Sequence, residues 1–184
     1  MKITLVNFCL VVVMVVGTLI SCVFYYCPNL VFHYVLMIPL LLFPFLLWGS
    51  KFQLGNLELF YYYSFLFFSY FLGFILDFYN KIFWYDIFVH FISGFLSFKI
   101  GRFILERLSI GQNHFWFRML FCLSVVMFVA GAWELFEYGV DYFLGLDLQH
   151  HIDTGVVDTM EDILVAFLAG ILSIVGHFLY RKIT

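Results

Sequence analysis

Apolar residues run along this 184-residue chain in six stretches of near-membrane length, separated by short polar or proline-marked breaks. The first extends from Leu5 to Tyr25 and is closed by Pro28. The second, Leu30 to Trp48, contains Pro39 and Pro44, and each proline removes a backbone donor and predicts a kink. The others cover residues 57–76, 83–105, 115–138 and 158–180. A helix needs about 20 apolar residues to cross the hydrocarbon core. The pattern therefore predicts an all-α, polytopic membrane helix bundle with about six transmembrane helices. The longest connection, Asp141 to Val157, leaves no room for a soluble domain, so residues 1–184 read as a single integral membrane domain.

Composition strengthens that reading. The chain is 65% hydrophobic and 11% charged, whereas a soluble domain is about half apolar and about a quarter charged. A soluble fold could not hide 27 Phe and 12 Tyr without large exposed apolar patches. The expected partner is the lipid bilayer, and no feature points to a nucleic acid. Cys9, Cys22, Cys27 and Cys122 lie in or beside apolar runs without CxxC spacing, which suits packing residues. Cys22 and Cys27 would be placed to pair if their end faced an oxidising compartment. Leu19-Ile20-Ser21-Cys22 resembles a lipoprotein cleavage box, but the further spans favour an uncleaved first helix.

Charge gives direction. Cytoplasmic loops retain Lys and Arg. With both termini cytoplasmic, Lys2, Lys51, Lys99, Arg102, Arg107, Arg118, Arg181 and Lys182 all map inside, and Lys81 alone maps outside. Adding or losing a span would scramble that asymmetry. The acidic residues behave oppositely. Glu58 and Glu106 map inside, while Asp77, Asp86, Glu134, Glu137, Asp141, Asp147, Asp153, Asp158, Glu161 and Asp162 map toward the outer face. Acidic residues contribute little to topology, so this pole needs its own explanation.

Candidate chemistry concentrates there. Asp86 and His90 are four apart at the start of the fourth run. Glu134, Glu137 and Asp141 are spaced by three and four near the end of the fifth, and Asp158 and Asp162 by four at the start of the sixth. Such spacings put the groups of each helix on one face. The stripes continue through small residues: Gly94, Ser97 and Gly101; Ala130 and Gly131; Ala166, Ala169, Gly170 and Ser173. Small residues mark close helix packing in membranes, so the polar stripes should point into the bundle. Glu161 falls off the shared stripe.

Several carboxylates in one buried site repel one another. A divalent cation held by Asp86, His90, Asp158 and Asp162 would relieve the repulsion, and so would shared protons. Beside a metal, Glu134 or Glu137 would act as general base on a bound water. Gln149, His150, His151 and Asp153 in the long loop could reach back over the site. Plainer roles compete. Asp86 and Asp158 suit helix N-termini as caps or dipole partners. His90 could be a structural histidine bonded to Asp86, and Glu137 and Asp141 ordinary interface residues. His33, His114 and His177 read as structural or interfacial. Trp48, Trp84, Trp116, Tyr85 and Tyr138 read as interface belts.

Three ordered motifs resemble the YjdF-like family of bacterial inner-membrane proteins. They are Tyr85-Asp86-Ile87-Phe88-Val89-His90-Phe91 followed by Gly94, Trp133-Glu134-Leu135-Phe136-Glu137-Tyr138, and Asp158-Thr159-Met160-Glu161-Asp162. They cover the C-terminal half, and the first three helices match only by hydropathy. The sequence departs from the family pattern at Ser93, where a glutamine is usual. The resemblance carries over Asp86, His90, Glu134, Glu137, Asp158 and Asp162, and implies a multi-pass protein of the bacterial inner membrane. It supplies no reaction. A looser likeness to VanZ-like envelope proteins rests on acidic motifs at helix ends. Three classes of function stay open: a metal site acting on an envelope or lipid-linked substrate, cation- or proton-coupled transport, and a structural or partner-docking role. Polar groups cluster at one pole and are scarce at mid-depth, which favours a surface-facing site over a pore.

Overall fold

Each apolar run becomes a helix in the computed structural model of the chain, which describes residues 4–24, 28–111, 113–145, 147–149 and 155–183. The helices are α1 (Leu5–Phe24), α2 (Pro28–Leu46), α3 (Asn56–Leu66), the short α4 (Phe78–Lys81), α5 (Tyr85–Leu108), α6 (Phe115–Leu144) and α7 (Val157–Ile183). No strand occurs among the described residues. Five segments are long and apolar enough to cross a membrane: Leu5–Val23, Asn56–Ile75, Tyr85–Leu108, Phe115–Leu144 and Val157–Arg181. The 19 residues of α2 rise about 28 Å, close to the ~30 Å hydrocarbon core.

The distribution of burial is that of a membrane protein. Leu5, Phe128, Leu135 and Phe143 are more than 70% exposed, while Asn7, His33, His90, Glu134, Glu137 and Asp162 are buried. Water would drive the reverse arrangement. Lipid accepts apolar side chains on the outside and penalises unsatisfied polar groups there.

The chain forms two compact units, Met1–Tyr85 and Asp86–Thr184. In the first, α1, α2 and α3 pack around Met14, Met37, Leu59, Tyr63 and Tyr70. Helix α2 continues through both Pro39 and Pro44. Pro44 cannot donate to the Leu40 carbonyl, and the Tyr62 hydroxyl donates to it instead at 2.6 Å. His33 is structural, as expected: its Nδ1 meets the Tyr70 hydroxyl at 3.3 Å and its ring stacks on Phe74.

The third span departs from a plain α-helix. From Phe67 to Ile75 it winds as a π-helix, closing with Leu76 N–H on the Phe71 carbonyl five residues back. Ser69 Oγ donates to the Phe65 carbonyl at 2.7 Å, the acceptor its own N–H would use in an α-helix. Tyr85 corrects another expectation. It is 4% exposed and donates to the Phe68 carbonyl at 2.8 Å, so it is a packing residue and not part of an interface belt. Trp48, Trp84, Trp116 and Tyr138 are exposed, as a belt requires.

In the second unit, α5, α6 and α7 meet around Phe98, Leu105, Cys122, Val126, Ala130 and Ala166. The small-residue stripes set the approach. A Cβ at Gly94 would collide with the Ala166 carbonyl and stand 2.7 Å from the Ala169 Cβ. One at Gly101 would stand 2.9 Å from the Cys122 Cα, and one at Gly170 would meet Leu123 at 2.8 Å. Gly131 is the exception, because a Cβ there would meet nothing within 4 Å. Its neighbour Ala130 is the packing residue.

Helix α6 is longer than expected. It runs past Tyr138 to Leu144, and Gly145 stops it in the left-handed conformation (φ 66°) with its N–H on the Asp141 carbonyl. Its 30 residues span about 45 Å, well beyond the ~30 Å core. The stripe Glu134, Glu137, Val140, Asp141 is buried, so packing on α7 continues after apolar composition gives out. The connection to α7 therefore begins at Gly145 rather than Asp141.

Candidate functional site

Three helices of the second unit bring the candidate residues together. Asp86 is the second residue of α5 and Asp158 the second residue of α7, in first turns where a carboxylate faces the positive end of the helix dipole. One turn further in, His90 and Asp162 face each other. His90 Nε2 is 3.4 Å from Asp86 Oδ1 and 3.7 Å from Asp162 Oδ2. His90 is 6% exposed and Asp162 3%. One ligand atom from each of Asp86, His90 and Asp162 lies within 4.8 Å of the others. Asp158 stands outside this trio although its charge reaches Asp162.

Glu134 and Glu137 of α6 are 5% and 7% exposed. Their charges interact with those of Asp86, His90 and Asp162. Glu137 Oε1 accepts the Trp133 indole N–H at 2.9 Å, a bond between residues four apart that the sequence reading did not single out. Glu134 is held on one side only. Gln149 Nε2 sits 3.4 Å from its Oε2 and 3.2 Å from its backbone carbonyl, and 3.2 Å from Thr159 Oγ1 on α7. Glu134 Oε1 is buried without a hydrogen-bond partner.

Asp141 has a different task. Its two oxygens accept the backbone N–H groups of Leu148 at 2.7 Å and Gln149 at 3.1 Å. That clamp holds Leu148 and Gln149 against α6 and aims Gln149 at Glu134. Gln149 thus reaches over the site as the sequence suggested, whereas His150, His151 and Asp153 lie outside the described residues. Cys27 does as well, so the Cys22–Cys27 pairing has no structural description. Glu161 is exposed, as its place off the stripe requires. Ser93 donates to the His90 carbonyl at 2.7 Å, one turn below the cluster.

The opposite end of the unit is basic. Arg102 and Arg118 both approach Glu106, at 3.0 Å and 3.5 Å. Twelve residues separate Arg102 from His90, about 18 Å along α5. Within this unit no described Lys or Arg is paired with the acidic cluster.

Apolar spanning helices with their ionisable groups packed inward define a polytopic helical membrane protein. The chain belongs to the family described as "Predicted membrane protein (DUF2238)", which matches residues 5–183. This is the YjdF-like family that the three motifs resemble, and the match extends across the first three helices as well. It lends nothing to the VanZ-like likeness. No curated protein and no solved structure matches the chain.

The Asp141 clamp makes a direct prediction. Asp141→Ala removes the acceptor for two backbone donors, each bond to a charged group being worth about 1.5–3 kcal/mol. Limited proteolysis of the protein in nanodiscs should then cut between Gly145 and Val157 at least several-fold faster than in wild type, while Glu161→Ala leaves the rate unchanged.

Proposed function

We propose that Asp86, His90 and Asp162 hold a divalent metal ion, and that this centre acts on an envelope or lipid-linked substrate with Glu134 and Glu137 beside it. The separation of the three side chains carries the reading. At 3.4 and 3.7 Å, the His90 contacts are longer than good hydrogen bonds of about 2.7–3.2 Å. They suit two ligand atoms sharing one ion, which stand roughly 3.4 Å apart around a tetrahedral centre with bonds near 2.1 Å. One imidazole and two carboxylates suit a first-row divalent ion such as Zn2+ or Mn2+. Such an ion supplies Lewis acidity and a water that ionises near neutral pH. Of the two neighbouring carboxylates, Glu134, with one oxygen unpartnered, would be freer than Glu137 to accept a proton there.

Cation- or proton-coupled transport would use the same carboxylates but needs a polar path through the unit. Beyond Asp162 the core is mostly apolar, with Ala166, Ala130, Val126, Phe98, Cys122 and Leu105 beside the buried hydroxyl of Ser97. That apolar plug favours a centre open at one end. With Lys and Arg retained inside, that end faces outward.

Metal analysis of purified wild type should find close to one divalent ion per chain, and Asp162→Asn and His90→Ala should each lose most of it. Folded wild-type protein without metal after expression in metal-replete medium would refute the centre. For orientation, Leu146→Cys in a background lacking the native cysteines should react with an impermeant thiol reagent added to intact cells. Reaction only after lysis would put the site on the cytoplasmic side and remove the envelope substrate.

A further inference from the structure

A cleft of about 930 Å3 runs along the outside of α6 beside α7. Its apolar stretch is lined by Met127, Phe128, Leu135 and Ile163, and its polar stretch by Glu134, Asp141, Gln149 and Thr159. Phe128 and Leu135 are 74% and 73% exposed, so the apolar stretch opens sideways to where lipid chains lie. Gly131 explains why there is space. Gly94, Gly101 and Gly170 press against neighbouring helices, but Gly131 faces nothing and its missing side chain leaves the cleft open.

The polar stretch selects the head group. Glu134 and Asp141 are the charged residues among the described lining, which contains no Lys, Arg or His. Each Asp141 oxygen already accepts a backbone amide, from Leu148 and from Gln149. Glu134 is 5% exposed, and its Oε1 has no hydrogen-bond partner. A buried acceptor left unmatched in a low-dielectric site is costly, so an occupant that donates to it gains correspondingly. A phosphate head would bring acceptors and negative charge against two carboxylates. A donor head, amine or hydroxyl, would complete Glu134.

We propose that this cleft binds a long-chain amphiphile whose head donates N–H or O–H to Glu134 and carries no phosphate. The chain enters from the bilayer side along Phe128, Gly131 and Leu135, and the head stops beneath Gln149. The assignment shares Glu134 with the metal reading but needs no ion, so either can fail alone. If both hold, the cleft names the substrate class that reaches the centre.

The probe is hexadecylamine with a diazirine in its chain, photolysed with the full-length protein in phosphatidylcholine nanodiscs. Labelling should saturate and map to the Met127–Tyr142 stretch of α6. Dodecylamine should compete, and dodecyl phosphate at equal concentration should not. Gly131→Leu, which fills the cleft without touching a helix contact, should reduce labelling at least about tenfold while metal content stays at the wild-type level. Glu134→Gln should weaken amine competition by about tenfold, the loss of one charge-assisted hydrogen bond. Labelling spread evenly over the lipid-facing helices, insensitivity to Gly131→Leu, or equal competition by the alkyl phosphate would overturn the assignment. Wild-type protein that labels as expected yet holds no metal would overturn the metal reading and leave the cleft.

Discussion

Everything at the acidic end of this protein follows from one constraint: carboxylates buried between lipid-facing helices must be neutralised. Two ionised carboxylates at 4–5 Å repel by roughly 3–4 kcal/mol at an effective dielectric constant near 20. Asp86, Asp162, Glu134 and Glu137 lie in one electrostatic neighbourhood with His90 as the basic partner. Gly94 against Ala166 holds α5 close to α7 one turn below His90. An ion, shared protons or a bound cationic group can relieve the strain. The 3.4 and 3.7 Å spacings favour an ion at His90, and the unmatched oxygen favours a donor at Glu134.

The two units treat buried polarity differently. The first uses uncharged groups that bond to each other or to backbone: Ser21 with Tyr34, His33 with Tyr70, and Tyr62 on the carbonyl that Pro44 leaves open. Such pairs hold helices together in lipid, where no water can substitute. The second unit buries ionisable groups. Both units leave buried polar atoms unmatched, Asn7 Oδ1 and Thr18 Oγ1 in the first and Glu134 Oε1 in the second; what distinguishes the second is the cluster of carboxylates, and intramembrane carboxylates argue for a task beyond cohesion.

Much of this was legible in the sequence. Hydropathy located every long helix, because length and apolarity are what the bilayer demands. The spacing of Asp86 with His90, and the place of Asp162 at the start of its helix, anticipated that these three side chains come together, because helical periodicity fixes which residues share a face. The misses have physical causes. Helix α6 outran its apolar stretch because packing on α7 continues through Glu137 and Asp141, which hydropathy reads as an end. Gly131 passed for a packing glycine because spacing alone does not say which face of a helix has a neighbour. Tyr85 passed for an interface residue because an aromatic at a helix start serves either purpose until its hydroxyl finds the Phe68 carbonyl. The cleft was invisible, since it depends on how α6 and α7 meet.

Whether an ion neutralises the buried carboxylates is read from the melting temperature of wild type and Asp162→Asn, each measured in chelator and in excess Mn2+ or Zn2+. A ligand at a hundred times its Kd stabilises by about 2.7 kcal/mol. The ion should raise the wild-type melting temperature by several degrees and leave Asp162→Asn nearly unmoved, and in chelator Asp162→Asn should melt at or above wild type because one repelling charge is gone. A wild type indifferent to the ion, with Asp162→Asn melting well below it in chelator, would show instead that Asp162 and a charged His90 form a structural pair, and would contradict the account.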